Sequence, residues 1–567
     1  PGDAAAQRDL ALGEMFLEDG ELERAGQALH RARALAPKSA ELLLAEALLA
    51  DLHGQPSAAL DAYLSAIEQA ISSGDAALLP LVEATTYAVQ GQNGLTVGFA
   101  QRVRDRLQPL AEKPGLALSA RAALMDVLIP LAYRRGDLDE VKRLSARLGC
   151  ITQARAAGPF GPRELLGFDL APPVDLGKPL AASYDLGPSR GVRPSRNLKA
   201  QGCRMNVGGG PVADGGMHMV EAAVQIAQSG NYTLRLDTPN SVELFIDGQS
   251  VLRVDRRQKL GSRVVFKQVQ LTAGTHRVYM RLTSRHPNPV VELAVAAATR
   301  DDTAQPELTE ARRAVSGFDV YMRVAVALAR GDLLAGRQAL ATVVQAKKAS
   351  PLLLLQRSGI ALSDPLLPEG VRADEARGYL ARAAARDTAA WAPALQLAAL
   401  AAKAGRVKES IGVLRKAFER WPEVPAIGLA LADLLRSKEF YAAADEVIAH
   451  VRELVPDACA PMSAQLEALR ARQRYPEIIP LAEQLVRCDA QNTSLYSLYL
   501  EQRDFAAAQK ELARLDALTP ESARYATLLS RIALAKNQGD AAVVTQLLNE
   551  LRREYPRSYA GAIEQID

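Results

Sequence analysis

Along the first 155 residues apolar positions recur at three- and four-residue steps, the period of a helix that buries one side. The stretch LGEMFLEDGELERAGQALHRARALAP, Leu12 to Pro37, carries one such run on each side of Asp19-Gly20 and predicts an antiparallel helix pair. The pattern then returns: Gly20 as Gly54, Ala25 as Ala59, Leu29 as Tyr63 and Ala32 as Ala66, each a step of 34 residues. A fixed step of this length marks a repeat architecture. One helix pair cannot bury its apolar stripe alone, so neighbouring pairs must stack. Small residues are expected where two backbones approach closely, with Gly13 facing Ala25.

The second half of the chain shows the same habit. WAPALQLAALAAKAGRVKESIGVLRKAFERWP carries Leu397, Ala398, Gly405, Leu414, Ala417 and Pro422, and the next unit closes at Pro456, again 34 residues on. Weaker units follow around Ala482 and Leu485, Ala508 and Leu512, and Leu548 and Leu551. Between the two halves helical periodicity stops after Ala157, and a Gly/Pro-rich stretch that cannot be helix takes over. Strict alternation follows. YTLRLDT puts Tyr232, Leu234 and Leu236 on one face, and SVELFIDGQSVLRVD reads as a hairpin around Asp247-Gly248. RVVFKQVQLTAGTHRVYMRLTS reads as another pair around Ala273-Gly274, with Val264, Phe266, Val269, Leu271, Val278, Met280 and Leu282 inward. NVGGGPVADGGMHM, residues 206–219, reads as a loop, since it lacks a phosphate-loop ending. The expected fold class is therefore mainly α: two α-solenoid arms, residues 1–157 and 301–567, flanking an antiparallel β-sandwich at 158–300.

With Leu12, Gly13, Phe16, Ala25, Leu29, Ala32 and Pro37 placed as they are, the helical segments resemble the tetratricopeptide repeat. The resemblance implies a concave groove, lined by the first helix of each pair, that takes an extended peptide or a partner helix. At the positions of the family's two-carboxylate clamp this chain holds Leu10 and Glu14, then Leu44 and Leu48, so the clamp is absent. The candidate partner surface is Leu10, Glu14, Glu18, Leu44, Leu48 and Asp51; the alternative is that these leucines pack against the next helix. The phrase GNYTLRLDTPNSVELFIDGQSVLRVD resembles PA14-like and carbohydrate-binding sandwiches through Gly230, Tyr232, Leu234 and Phe245-Ile246-Asp247-Gly248. Sugar-binding members hold calcium with paired acids in the preceding turn. Here that turn is Thr238-Pro239-Asn240-Ser241 with only Asp237 nearby, and Asp247 reads as a turn residue. The whole layout is similar to the N-terminal part of large bacterial multidomain proteins that continue into a transglutaminase-like domain. That likeness implies a chain that is part of a longer one; the PA14-like insert and a start without Met lean towards a bacterial envelope location, periplasmic or surface-associated, while the unpatterned cysteines equally suit a cytoplasmic one.

Composition narrows the partners. Net charge is only +3 and aromatic content 5%, which suits a core of Ala and Leu and argues against nucleic acid as a partner. No run of apolar residues is long enough to predict a transmembrane segment. Residues 160–300 are the basic part, with 18 Lys/Arg against 11 Asp/Glu. Arg190, Arg193, Arg196, Lys199 and Arg204 form one group; Arg253, Arg256, Arg257 and Lys259 lead a second, a candidate face for an acidic protein, an acidic polymer or a glycan. The alternative is that these charges guard strand edges. No catalytic constellation, metal-ligand spacing or cofactor motif stands out. Cys150, Cys203, Cys459 and Cys488 read as small buried side chains, with a Cys459–Cys488 disulfide as the alternative. The expected function is a non-enzymatic scaffold that binds other proteins or peptides. Carbohydrate or cell-surface recognition, resting on Tyr184, Tyr232 and Tyr279, is one alternative, and the regulatory part of a longer enzyme is another.

Overall fold

The 34-residue step is written into the backbone. The computed structural model describes residues 2–160, 168–186, 191–200, 202–207, 216–256, 263–284, 289–299, 317–344, 350–386, 390–519 and 524–554. In it a left-handed residue follows the first helix of successive pairs: Gly20 (φ 74°), Gly54 (φ 73°), Gly405 (φ 77°), Glu439 (φ 63°) and Gln473 (φ 58°). Glycine adopts this conformation freely. Glu439 and Gln473 hold it at the same step because the same turn must be made, whatever the residue.

Close helix approach recurs as expected, with one change of partner. Ala25, Ala59 and Ala444 have no exposed surface. Gly13, however, meets Leu29 rather than Ala25: a Cβ there would stand 2.7 Å from Leu29 Cγ. The side chain one turn further along the second helix covers the crossing point, as helical side chains lean towards their N-terminus. Gly428 plays the same part under Val451 and Phe418.

The chain forms two compact units, each drawn from separated segments. The first is Pro1–Leu131 with Thr303–Cys488; the second is Ala132–Asp302 with Asp489–Asp567, the division falling inside helix Leu118–Arg134. In the first unit the repeats of the N-terminal arm and those after residue 316 share one interior. Helix Gly317–Ala329 packs on helix Leu79–Gly91, and helix Gly2–Asp19 touches both it and helix Pro351–Ser363. Ala84, Ala325 and Val326 form a shared apolar cluster. Beside it the Glu83 carboxylate, 7% exposed, accepts from Arg330 Nε at 2.7 Å and Nη2 at 2.8 Å. Further along, Trp391 Nε1 donates to the Asp51 carbonyl at 2.7 Å. Gly54 sits so tightly under Val424 that a Cβ would come within 2.7 Å of Val424 Cγ2. The Gly98 amide donates to Asp457 Oδ2 at 2.8 Å.

The second unit contains the sandwich. Its strands are β1 (Gln153–Phe160), β2 (Ser183–Asp185), β3 (Val192–Pro194), β4 (Arg196–Lys199), β5 (Arg204–Asn206), β6 (Gly216–Ile226), β7 (Gly230–Asp237), β8 (Ser241–Ile246), β9 (Gln249–Val254), β10 (Val264–Leu271), β11 (Gly274–Ser284) and β12 (Val290–Ala297). A six-stranded sheet runs β4-β1-β6-β11-β8-β9 and faces a four-stranded sheet, β10-β7-β12-β5. Leu234, Leu236, Val242, Leu244, Met280, Leu282 and Leu293 fill the space between. The β8–β9 hairpin turns at Asp247 (φ 49°) and Gly248 (φ 83°), as its sequence predicts.

Four sequence expectations need correction here. β10 and β11 are not a hairpin: β10 pairs with β7 and β11 with β6 and β8, so Thr272–Ala273 carries the chain from one sheet to the other. Val264 and Phe266 pair across to Asp237 and Arg235, on the face away from the sandwich interior, while Val269 pairs with Tyr232 on the inward face. Gly216–Met219 of the expected loop open the buried strand β6, and residues 208–215 lie outside the described residues. The cysteines are not four isolated side chains. Cys459 joins Cys488 between consecutive helices of the first unit, and Cys150 joins Cys203 in the second.

Two stability outcomes follow. Ala25→Leu or Ala444→Leu overpacks a helix pair and lowers the free energy of unfolding in denaturant titrations by about 1–3 kcal/mol; unchanged midpoints would contradict the packing. Glu83→Ala leaves Arg330 without its buried acceptor and costs roughly 3–5 kcal/mol, whereas Glu83→Leu with Arg330→Met costs much less, because the pair repays its own desolvation only partly.

Candidate functional site

The leucine face of the N-terminal arm is largely covered. Leu44 and Leu48 are 3% and 4% exposed, and Leu10 and Glu14 are half-buried on a helix that packs against Gly317–Ala329 and Pro351–Ser363. Asp51 lies where Trp391 reaches its carbonyl and Gln92 Nε2 donates to its Oδ1 at 3.1 Å. Burial holds the Asp51 carboxyl above its ordinary range, against the pull of the Gln92 bond. The neighbouring phenols of Tyr63 and Tyr321 are pushed up by burial first and by the Asp51 charge second. Glu18 belongs to helix Gly2–Asp19.

On the sandwich Arg253, of the basic second group, is engaged. Arg253 lies over the Phe168 ring at 4.5 Å and pairs with Asp169 at 2.9 Å and Glu243 at 3.2 Å. Arg256 donates its amide to Ser241 Oγ at 2.9 Å, and Arg257 and Lys259 lie outside the described residues. Asp237, the acid nearest the expected calcium turn, is taken by Arg235 at 3.5 Å and Arg263 at 2.7 Å. Burial, and then the Asp237 charge, raise the pKa of Glu292 in the same cluster. Tyr279 is fully buried with its hydroxyl on the Lys178 carbonyl, Tyr184 packs edge-on to Phe160, and the Tyr232 hydroxyl donates to the Gln228 carbonyl at 2.7 Å. These rings are spent on packing, so they form no open platform for a sugar.

An irregular strap, residues 168–182, crosses the outer face of the six-stranded sheet. Arg155 Nη1 donates to the Leu180 carbonyl and Arg277 Nη1 to the Gly177 carbonyl, both at 2.9 Å, and Glu221 accepts from the Leu180 amide at 2.7 Å. A recess of about 780 Å³ beside the strap is lined by these side chains, which are committed to latching, and by Asp247. Asp247 itself caps the turn, accepting from the Arg277 amide at 2.9 Å and bonding His276 Nδ1 at 2.6 Å.

A second recess, of about 940 Å³, is built differently. One wall is helix Leu138–Leu148, started by Asp137, whose carboxylate accepts from the Glu140 amide, and stopped by Gly149 (φ 81°). Another is the β1–β4 edge of the sandwich, tied to the helix end by Cys150–Cys203. The third is helices Phe505–Leu518 and Arg524–Gln538. The Tyr133 hydroxyl donates to the Leu518 carbonyl at 2.6 Å and closes the base; burial raises its pKa. Leu138, Val141 and Leu518 give the cleft an apolar lining. Asp516 accepts from Arg531 through Oδ2, at 2.6 Å from Nη2, while its buried Oδ1 has no hydrogen-bond partner among the described residues. Lys199 is exposed at the rim, and Lys142 pairs only with the fully solvated Asp139 at 3.0 Å. Sequence reasoning placed Lys199 in a basic group but missed the cleft, whose third wall lies about 300 residues beyond the other two in the chain.

No protein-family model matches the chain, and no curated protein matches it. Among solved structures, a structure of Pseudomonas aeruginosa pilF is similar over 37% of this chain and 95% of its own, at 17% identity and a TM-score of 0.30. A tetratricopeptide repeat protein from Parabacteroides merdae is similar over 44% of this chain and 96% of its own, at 14% identity and a TM-score of 0.33. A β-glucosidase from Kluyveromyces marxianus is similar over 20% of this chain and 15% of its own, at 16% identity and a TM-score of 0.17. Likeness at these scores transfers no function.

The His276–Asp247 contact predicts a pH effect. The Thr272 carbonyl and the Asp247 carboxylate both favour the imidazolium and raise the His276 pKa. Burial opposes ionisation of Asp247, but the His276 and Arg277 bonds outweigh it and lower its pKa. A raised folded pKa means the stabilisation is complete below the unfolded value of about 6.5 and fades as pH rises through the folded value. Protection of the β8–β9 turn amides, corrected for intrinsic exchange, should therefore fall from about pH 6.5 upwards in the parent and stay level in His276→Gln. Parallel profiles would contradict the assignment.

Proposed function

We propose that the chain is a non-catalytic scaffold that holds another protein, with the cleft of the second unit as its docking surface. The make-up of the cleft carries this reading: apolar Leu138 and Leu518 line it beside the solvent-exposed cations Lys142 and Lys199. The pairing of all described cysteines supports an oxidising compartment such as the bacterial envelope. Where the first unit buries its leucines in its own helices, the cleft keeps apolar and charged groups accessible together, the mixture that protein interfaces use.

The test is site-specific photo-cross-linking in the native host. A benzophenone amino acid at Thr527, inside the cleft, should give a defined protein adduct; the same group at exposed Leu366, in the first unit, should not. Ala146→Trp, which adds bulk at an exposed position of the cleft wall, should abolish the Thr527 adduct without lowering the unfolding midpoint. Identical adducts from both sites, or none from Thr527, would overturn the docking assignment.

A further inference from the structure

From the charges at this cleft we infer the chemistry of its occupant: a segment of a partner protein in which apolar residues are flanked by Asp or Glu. The inference rests on the docking reading above. Its ground is charge complementarity. The cleft is lined by three cations, Lys142, Lys199 and Arg531, and one acid, Asp516. Asp516 is already neutralised by Arg531 through Oδ2, so Lys142 and Lys199 set the local field. Lys199 has no ion-pair partner among the described residues, and the Lys142–Asp139 pair is so solvated that an incoming carboxylate displaces it at little cost. These lysines stand on opposite walls, one on helix Leu138–Leu148 and one on β4, so a carboxylate-bearing segment between them is held from both sides.

The interior asks for something other than charge. Leu138, Val141 and Leu518 present apolar surface that a side chain of Leu or Val size would cover. A basic segment would meet Lys142 and Lys199 at like charge, and a nucleic acid would find none of the cleft's aromatic Tyr133 free to stack, because its hydroxyl end closes the base. The recess is in the size range of sites that enclose a short stretch of ligand.

The experiment pans phage-displayed random dodecapeptides on the intact protein, with the Ala146→Trp protein run in parallel to remove sequences that bind elsewhere. Cleft-dependent sequences should be enriched in Asp and Glu next to Leu, Val or Ile. A labelled peptide from that pool should bind at least tenfold more weakly to Lys142→Glu/Lys199→Glu, both exposed changes that leave the fold intact, and should weaken as salt rises. Cleft-dependent peptides that are neutral or basic would overturn the acidic assignment and leave the docking surface standing. So would acidic peptides whose binding ignores the double charge reversal. Absence of any cleft-dependent peptide would overturn both.

Discussion

One buried contact organises the first unit. Glu83, from the N-terminal repeats, and Arg330, from beyond the sandwich, face each other where helix Leu79–Gly91 meets helix Gly317–Ala329. The Arg330 guanidinium is desolvated there, yet the Glu83 hydrogen bonds outweigh that cost and keep its pKa above the ordinary value. Such a pair holds only if the surrounding helices pack closely enough to exclude water and fix both side chains. Around it the same seam makes three further demands: an indole N–H aimed at the Asp51 carbonyl, no Cβ at position 54, and a carboxylate on the Gly98 amide. Together they turn two repeat arrays, separated by about 170 residues of chain, into one interior.

That arrangement changes what the repeats can do. In an isolated array the first helices of the pairs line an open groove. Here Leu44 and Leu48, which sit on that face by sequence, are interior residues, and the carboxyl of Asp51 lies in a site dry enough to raise its pKa. The accessible mixture of apolar and charged groups is instead found in the second unit, where the end of the N-terminal arm, a sandwich edge and the last repeats meet. The sandwich presents its six-stranded sheet to an irregular strap, and Arg155, Arg253 and Arg277 hold that strap through its carbonyl oxygens.

Much of the fold was legible in the amino-acid sequence because its signals are local. Helix pairs announce themselves through the 34-residue step, and Asp247-Gly248 specifies its tight turn through two left-handed residues. What escaped was non-local. Ala273-Gly274 looks like a hairpin turn, but the same residues also suit a crossing between sheets, and only strand pairing decides. A leucine that faces a peptide and one that faces another helix have the same period, so the seam was invisible. Cys150 and Cys203 are 53 residues apart across the helix-to-sandwich junction, with no spacing motif to join them. The cleft was hidden for a like reason: its third wall, Asp516 to Arg531, is far in sequence from the helix and sandwich edge it faces.

The most direct test of the shared interior is hydrogen exchange, read by mass spectrometry, on the Trp391→Phe protein. This change removes one indole N–H at the seam and little volume. If the two arrays form one interior, amides around residues 49–60 gain exchange together with those around 391. If exchange rises only near residue 391 and the N-terminal repeats keep their protection, the arrays are independent and the account is wrong.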